Sequence, residues 1–202
     1  MAATTMFVEV LVIGIGSLSA LSGFVIAVAG YENLKGFAPI AGSGLASGMA
    51  IAFSYALGIL VDRSADTILK SARRSLRRQH FPSNAAYDQA RRLVVKFPDL
   101  VARADYARSR MRVCRGWFLN SILLVLAVDL LLIRSSFQGR LLFAFLVTVV
   151  GVLLAIGFYI AWRSITETGY KKLAQQSQAI QADVPAQQAG AGSSSVAGDV
   201  QS

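Results

Sequence analysis

The sequence predicts an all-α, polytopic membrane protein: four transmembrane helices, with helices 2 and 3 extended into a basic cytoplasmic helical stalk. Three observations carry this expectation. The 202-residue chain is 54% hydrophobic, with a mean hydropathy of +0.53, well above what a soluble domain of this size needs. It contains four apolar runs near the roughly 20 residues that cross the hydrocarbon core. Its positive charge is concentrated between the second and third runs, as in a loop kept on the cytoplasmic side.

The first run extends from Phe7 to Ala29, with Glu9 as its only charge. A cleaved signal peptide is the competing reading, because Ala27-Val28-Ala29 resembles a small-residue cleavage site. Against it, no Lys or Arg precedes Phe7, and the apolar stretch exceeds the usual core of about 7–15 residues. The run is therefore expected to be retained as a span. The second run, Phe37 to Val61, has Pro39 in its first turn, where a missing N–H costs little. The link from Gly30 to Gly36 is short enough to force an antiparallel hairpin, giving a first transmembrane unit over 1–62.

The polar stretch 63–116 follows, then runs at Trp117–Ile133 and Leu141–Trp162 joined by residues 134–140. Together these last two form a second hairpin over 117–162. Trp117, Tyr159 and Trp162 sit near run ends, where aromatic rings favour the headgroup level. The tail, 163–202, is expected to continue as a polar helix through Gln176. Beyond Ala182 it is rich in Gln, Ala, Gly and Ser and is expected to be disordered.

Between Arg63 and Arg115 there are 14 Lys and Arg against 4 Asp and Glu. Positive charge accumulates in cytoplasmic loops, so this region and both termini are expected in the cytoplasm. Arg predominates over Lys and Ala is abundant, a bias that points to a bacterial chain and an inner membrane.

The basic stretch has its own periodicity. Val61, Ala65, Ile68, Ala72 and Leu76 recur at helical spacing, as do Leu100, Ala104, Ala107, Met111 and Cys114. Both neighbouring spans thus extend as amphipathic helices, predicted over 62–79 and 99–116, which pair as a stalk. Phe81-Pro82-Ser83-Asn84 breaks the chain between them. Ser83 or Asn84 is expected to cap a short helix over 85–97, packing through Tyr87, Leu93, Val94 and Phe97. The arginines form two patches: Arg73, Arg74, Arg77 and Arg78 at the distal end, and Arg108, Arg112 and Arg115 near the membrane. Solvation and orientation account for such patches in part. Anionic phospholipid binding, chiefly through the membrane-proximal patch, and a cytoplasmic protein partner at the distal patch are the functional readings. Nucleic acid is disfavoured, since no aromatic platform accompanies the arginines.

Within the spans, Gly44, Gly48 and Ala52 in the second run and Gly16 and Ala20 in the first are small residues at spacings that let helices approach closely. They are expected to pack the first hairpin or to serve a homo-oligomer. Two acids are intramembrane polar candidates. Glu9 reads as an interfacial acid near a helix N-terminus. Asp129, well inside the third run, is either structural, bonded to Ser, Thr or Asn of a neighbouring helix or approached by Arg134, or functional in transport. Asp62 and Asp66, just beyond the second run, read as partners of Arg63, Lys70 or Arg115.

One cysteine, Cys114, and one histidine, His80, leave no disulfide and no Cys- or His-based metal site. No cofactor is implied, since phosphate-binding, metalloprotease and nucleophile-elbow motifs are all missing. The expected function is that of a non-enzymatic integral membrane protein, an oligomeric or membrane-anchoring subunit whose stalk docks anionic lipid or a partner. A sensor or membrane-perturbing effector of a bacterial defence system would fit that description. The alternative is an ion or small-solute channel or transporter using Asp129.

Overall fold

The computed structural model describes residues 2–136 and 138–194, with side-chain surroundings for residues 4, 6–36, 39–136 and 138–182. All regular structure among them is helical. In chain order it comprises α1 (Ala2–Ala29), α2 (Tyr31–Leu34), a 3₁₀ turn (Lys35–Phe37), α3 (Ala38–Ala41), α4 (Gly44–Ile68), α5 (Lys70–His80), α6 (Asn84–Val94), α7 (Pro98–Arg134) and α8 (Arg140–Ser194). Four of these, α1, α4, α7 and α8, are long and apolar enough to cross a membrane. The chain is thus a multi-pass α-helical membrane protein in outline.

The second span starts later than the apolar run does. Phe37 closes the 3₁₀ turn and Pro39 lies in α3, while α4 begins at Gly44 and runs to Ile68. The cause is local. Ser43 has extended backbone and its Oγ accepts a hydrogen bond from the Ala46 N–H at 3.2 Å, a side-chain N-cap that fixes the helix start.

The chain divides into two compact units, Met1–Ser71 with Arg108–Ile165, and Ala72–Ala107 with Thr166–Ser202. In the first unit α1 is the central helix, the most buried of the four spans. Its contacts give the relative directions. A Cβ on Gly14 would strike the Ser54 carbonyl, and one on Gly58 would strike the Val10 carbonyl, so α1 and α4 are antiparallel with backbones in near contact. Ile13 lies against Gly116, Gly23 against Ala127, and Ala27 against Arg134, so α1 and α7 run parallel. Trp117 stacks on Phe158, with ring centroids 6.0 Å apart, and Asp129 meets Thr148, so α7 and α8 are antiparallel. Outward faces of α4 and α8 carry exposed Leu45, Phe53, Leu60, Leu142, Phe145 and Leu153, as lipid-facing surfaces require.

The helix following α4 is not continuous with it. Leu69 interrupts the helix with ψ near 2°, and the inward stripe shifts: Leu69 is 6% exposed whereas Ile68 is 58% exposed. At about 100° per residue, position 69 falls closer than 68 to the middle of a face already defined by Gly58, Asp62 and Ala65.

In the second unit Ser83 caps α6, its Oγ accepting from Ala86 N–H at 3.1 Å, as expected from the sequence. The helix ends at Val94 rather than Phe97, and Phe97 is exposed. Leu76, Phe81, Ala90 and Val94 are buried. Phe81, Tyr87 and Tyr170 of α8 meet edge to face, with centroids 5.3 to 6.5 Å apart. Past Ala182, where composition predicts disorder, α8 continues to Ser194. Ala and Gln, plentiful there, are good helix formers. Residues 195–202 lie outside the described residues.

Candidate functional site

One cluster of charged groups in the first unit assembles at the end where α4 finishes and the apolar part of α7 begins. Arg115 projects from α7 between two acids of α4. Its Nε and Nη2 donate to Asp62 Oδ1 and Oδ2 at 2.8 and 2.9 Å, and its Nη1 donates to Asp66 Oδ1 at 2.6 Å. The one-turn spacing of Asp62 and Asp66 lets both carboxylates face one guanidinium. The Arg115 and Asp62 side chains are 14% and 8% exposed, so this is a largely buried, bidentate pair. Of the three cations the sequence offered these acids, Arg115 is the one they hold.

Glu9 is buried, and ties α1 to the same helix. Its Oε1 accepts from Ser109 Oγ, while Oε2 lies 3.5 Å from Arg112 Nη1 and accepts no hydrogen bond. Arg115 is thus engaged on Asp62 and Asp66, and Arg112, 28% exposed, lies beside Glu9. Arg108 is exposed and has contacts within the chain.

One step deeper, Asn120 is fully buried. Its Nδ2 donates to the Ile13 carbonyl at 2.7 Å, and its Oδ1 accepts from Ser17 Oγ at 2.8 Å. The residues expected to pack α1 divide accordingly: Gly16 makes room for Asn120, and Ala20 is 1% exposed. By contrast Gly44, Gly48 and Ala52 are exposed, and a Cβ on either glycine would meet nothing within 4 Å. The close contact between α1 and α4 is made instead by Gly14, Ser54 and Gly58. Helix rotation is the reason: the clamp that turns Asp62 inward turns Gly58 and Ser54 inward with it, at spacings of four.

Asp129 faces α8, not Arg134. Thr148 Oγ1 donates to Asp129 Oδ2 at 2.8 Å, and Asp129 Oδ1 is buried without a hydrogen-bond partner. Arg134 instead crosses to the C-terminus of α1, donating to the Ala27 carbonyl and, at 2.9 Å, to that of Val28. Arg140 donates to the Ser135 carbonyl at 2.6 Å. Both guanidiniums thus satisfy carbonyls left over at helix ends, where the dipole favours positive charge.

In the second unit the distal arginines part company. Arg77 donates to Asn84 Oδ1 at 2.8 Å and lies over the Tyr87 ring, 5.3 Å from its centroid. Arg73 is half-buried and has contacts within the chain. Arg74 and Arg78, one turn apart, are exposed, as are Arg91 and Arg92 on α6. His80 Nε2 is buried without a hydrogen-bond partner. Among the described residues no group of three or more His, Cys, Asp and Glu is placed to hold a metal ion.

Sequence reasoning missed Asn120, Ser17 and Ser109. Asn120 carried a usable signal, an amide inside an apolar run, which needs a partner on another helix. Ser17 and Ser109 carried none, because serine satisfies itself on its own helix as readily as it bonds across one. No protein-family profile matches the chain, and no curated protein or solved structure resembles it significantly.

Proposed function

We propose that the chain is a non-enzymatic, multi-pass subunit of a bacterial inner membrane, with both termini and residues 63–116 cytoplasmic, and that the basic face of α5 docks an acidic partner. The division among the arginines supports this reading most. Arg112 and Arg115 turn inward onto Glu9, Asp62 and Asp66, whereas Arg74 and Arg78 are exposed on a helix anchored through buried Leu76. One set holds the bundle together; the other is available for a partner. Charge left uncompensated sets the orientation. At the opposite end, Lys35 pairs with Glu32 at 2.5 Å, and Arg134 and Arg140 sit on helix carbonyls. The excess of exposed arginine is therefore on the side of residues 63–116, the side that positive charge marks as cytoplasmic.

Two measurements test the reading. In a Cys114→Ala background, a Ser83→Cys variant should react with a membrane-impermeant maleimide only after the inner membrane is opened; labelling of intact spheroplasts rejects the orientation. Binding of a fluorescent poly-glutamate peptide to the protein in neutral nanodiscs should be lost when Arg74 and Arg78 are both changed to Glu, and undiminished binding rejects the docking face.

A second reading is supported by one observation, the unpartnered Asp129 Oδ1 buried between α7 and α8. An ion or small-solute pathway using this carboxyl predicts that Asp129→Asn alters flux in liposomes. A parent protein that conducts nothing eliminates it.

A further inference from the structure

The same end of the bundle carries a second set of arginines, Arg63 on α4 and Arg163 on α8, and both are exposed. Each directly follows a residue that is turned inward: Asp62 is 6% exposed and Trp162 is 3% exposed. One residue along a helix rotates the side chain by about 100°, so the inward clamp at Asp62 and the inward ring at Trp162 force the next side chain outward. Among the described residues, neither Arg63 nor Arg163 pairs with a carboxylate.

Their depth follows from the spans themselves: Arg63 and Arg163 are the first cations beyond the apolar runs Phe37–Val61 and Leu141–Trp162. Trp162 packs on Tyr159, Tyr159 on Phe118, and Trp117 on Phe158, with centroids 5.8 to 6.0 Å apart. Trp and Tyr collect at the headgroup level. Arg163 follows Trp162 directly, and Arg63 is next to the acid that holds Arg115, two residues before Trp117. Both guanidiniums therefore lie at about the level of the lipid phosphates. A cation held at that level attracts an anionic headgroup by on the order of 1 kcal/mol, an effect of charge that a lysine there would share.

We propose that Arg63 and Arg163 bind the headgroup phosphates of anionic phospholipids in the leaflet at this end, and that Glu9, Asp62 and Asp66 hold Arg112 and Arg115 away from the same lipids. The opposite leaflet has no equivalent among the described residues, because Lys35, Arg134 and Arg140 are each occupied within the chain. This binding is separate from the docking role of α5 and does not depend on which end faces the cytoplasm.

The test is native mass spectrometry of the full chain released from nanodiscs of equal phosphatidylglycerol and phosphatidylcholine. The parent should retain phosphatidylglycerol preferentially. Changing Arg63 and Arg163 together to Gln should lower that preference by up to roughly fivefold per arginine, while Arg63→Lys with Arg163→Lys keeps most of it. Arg74→Gln with Arg78→Gln, and Lys35→Gln, should leave it unchanged. The proposal is overturned if the parent shows no preference or the Gln pair retains it. It is equally overturned if the Lys pair loses the preference, or if the Arg74 and Arg78 variant alone abolishes it.

Discussion

Arg115 holds Asp62 through two parallel hydrogen bonds and reaches Asp66 with its remaining nitrogen, so rotation of α7 against α4 breaks three charged contacts at once. This clamp sets the rotation of both helices, and with it which of their other side chains face inward.

Its energetic signature is that of a buried pair: removing one partner strands the other. Arg115→Met, which strands the buried Asp62, should lower the stability of the detergent-solubilised protein by about 3 kcal/mol. Arg115→Met combined with Asp62→Leu should recover most of that loss, because the buried carboxylate is then gone while Asp66, 30% exposed, still reaches water. Thermal unfolding of both variants decides it. A double variant as unstable as the sum of the singles would show that the pair is not coupled.

The glycines give opposite expectations. Gly58→Ala puts a methyl group on the Val10 carbonyl and should cost about 1–3 kcal/mol as α1 and α4 are pushed apart. Gly44→Ala meets nothing and should be neutral or slightly stabilising through higher helix propensity. Unfolding temperatures of the two variants should separate clearly. Equal effects would contradict the α1–α4 contact.

Asn120 is the interhelical hydrogen bond to remove. Asn120→Leu keeps approximate size but withdraws the donor to the Ile13 carbonyl and the acceptor for Ser17. The cost should be about 1–2 kcal/mol, near the upper range for such bonds in membranes. Amide hydrogen exchange should accelerate in α1 around residues 13–17. Unchanged protection there would exclude a role for Asn120 in holding α1.

Tyr170 joins Phe81 and Tyr87 through two edge-to-face contacts. Tyr170→Ala should cost about 1–3 kcal/mol locally. Trypsin should then cut faster at Arg91 and Arg92, whose helix rests on this cluster. Cleavage at the parent rate would show that the cluster carries no stability.

The number of spans and the cap at Ser83 were legible because each depends on local chemistry. Hydrocarbon thickness sets the length of an apolar run, and a serine oxygen in extended backbone sets a helix start. Which arginines face outward was not legible, since that depends on helix rotation. Arg115 and Arg63 lie at comparable depths and are chemically identical, yet one is clamped and the other exposed. Gly44 and Gly48 carried the stronger small-residue spacing, but Gly58 makes the contact, because Asp62 one turn later is held by Arg115. The pairing of Glu9 with Ser109 spans a hundred residues, and no local pattern announces it. Asp129 was legible as needing a donor; Thr148 as that donor was one hydroxyl among several.

The Glu9–Ser109 separation also sets a schedule for synthesis. A ribosome adding about 5–20 residues per second delivers Ser109 roughly 5–20 s after Glu9. For that interval the central helix has emerged but lacks the neighbour that satisfies its acid, and the insertion machinery or interfacial water must shelter the carboxyl. A ribosome stall placed between α4 and α7 should therefore leave Glu9 of the nascent chain reactive toward a water-soluble carbodiimide, and release of the stall should protect it.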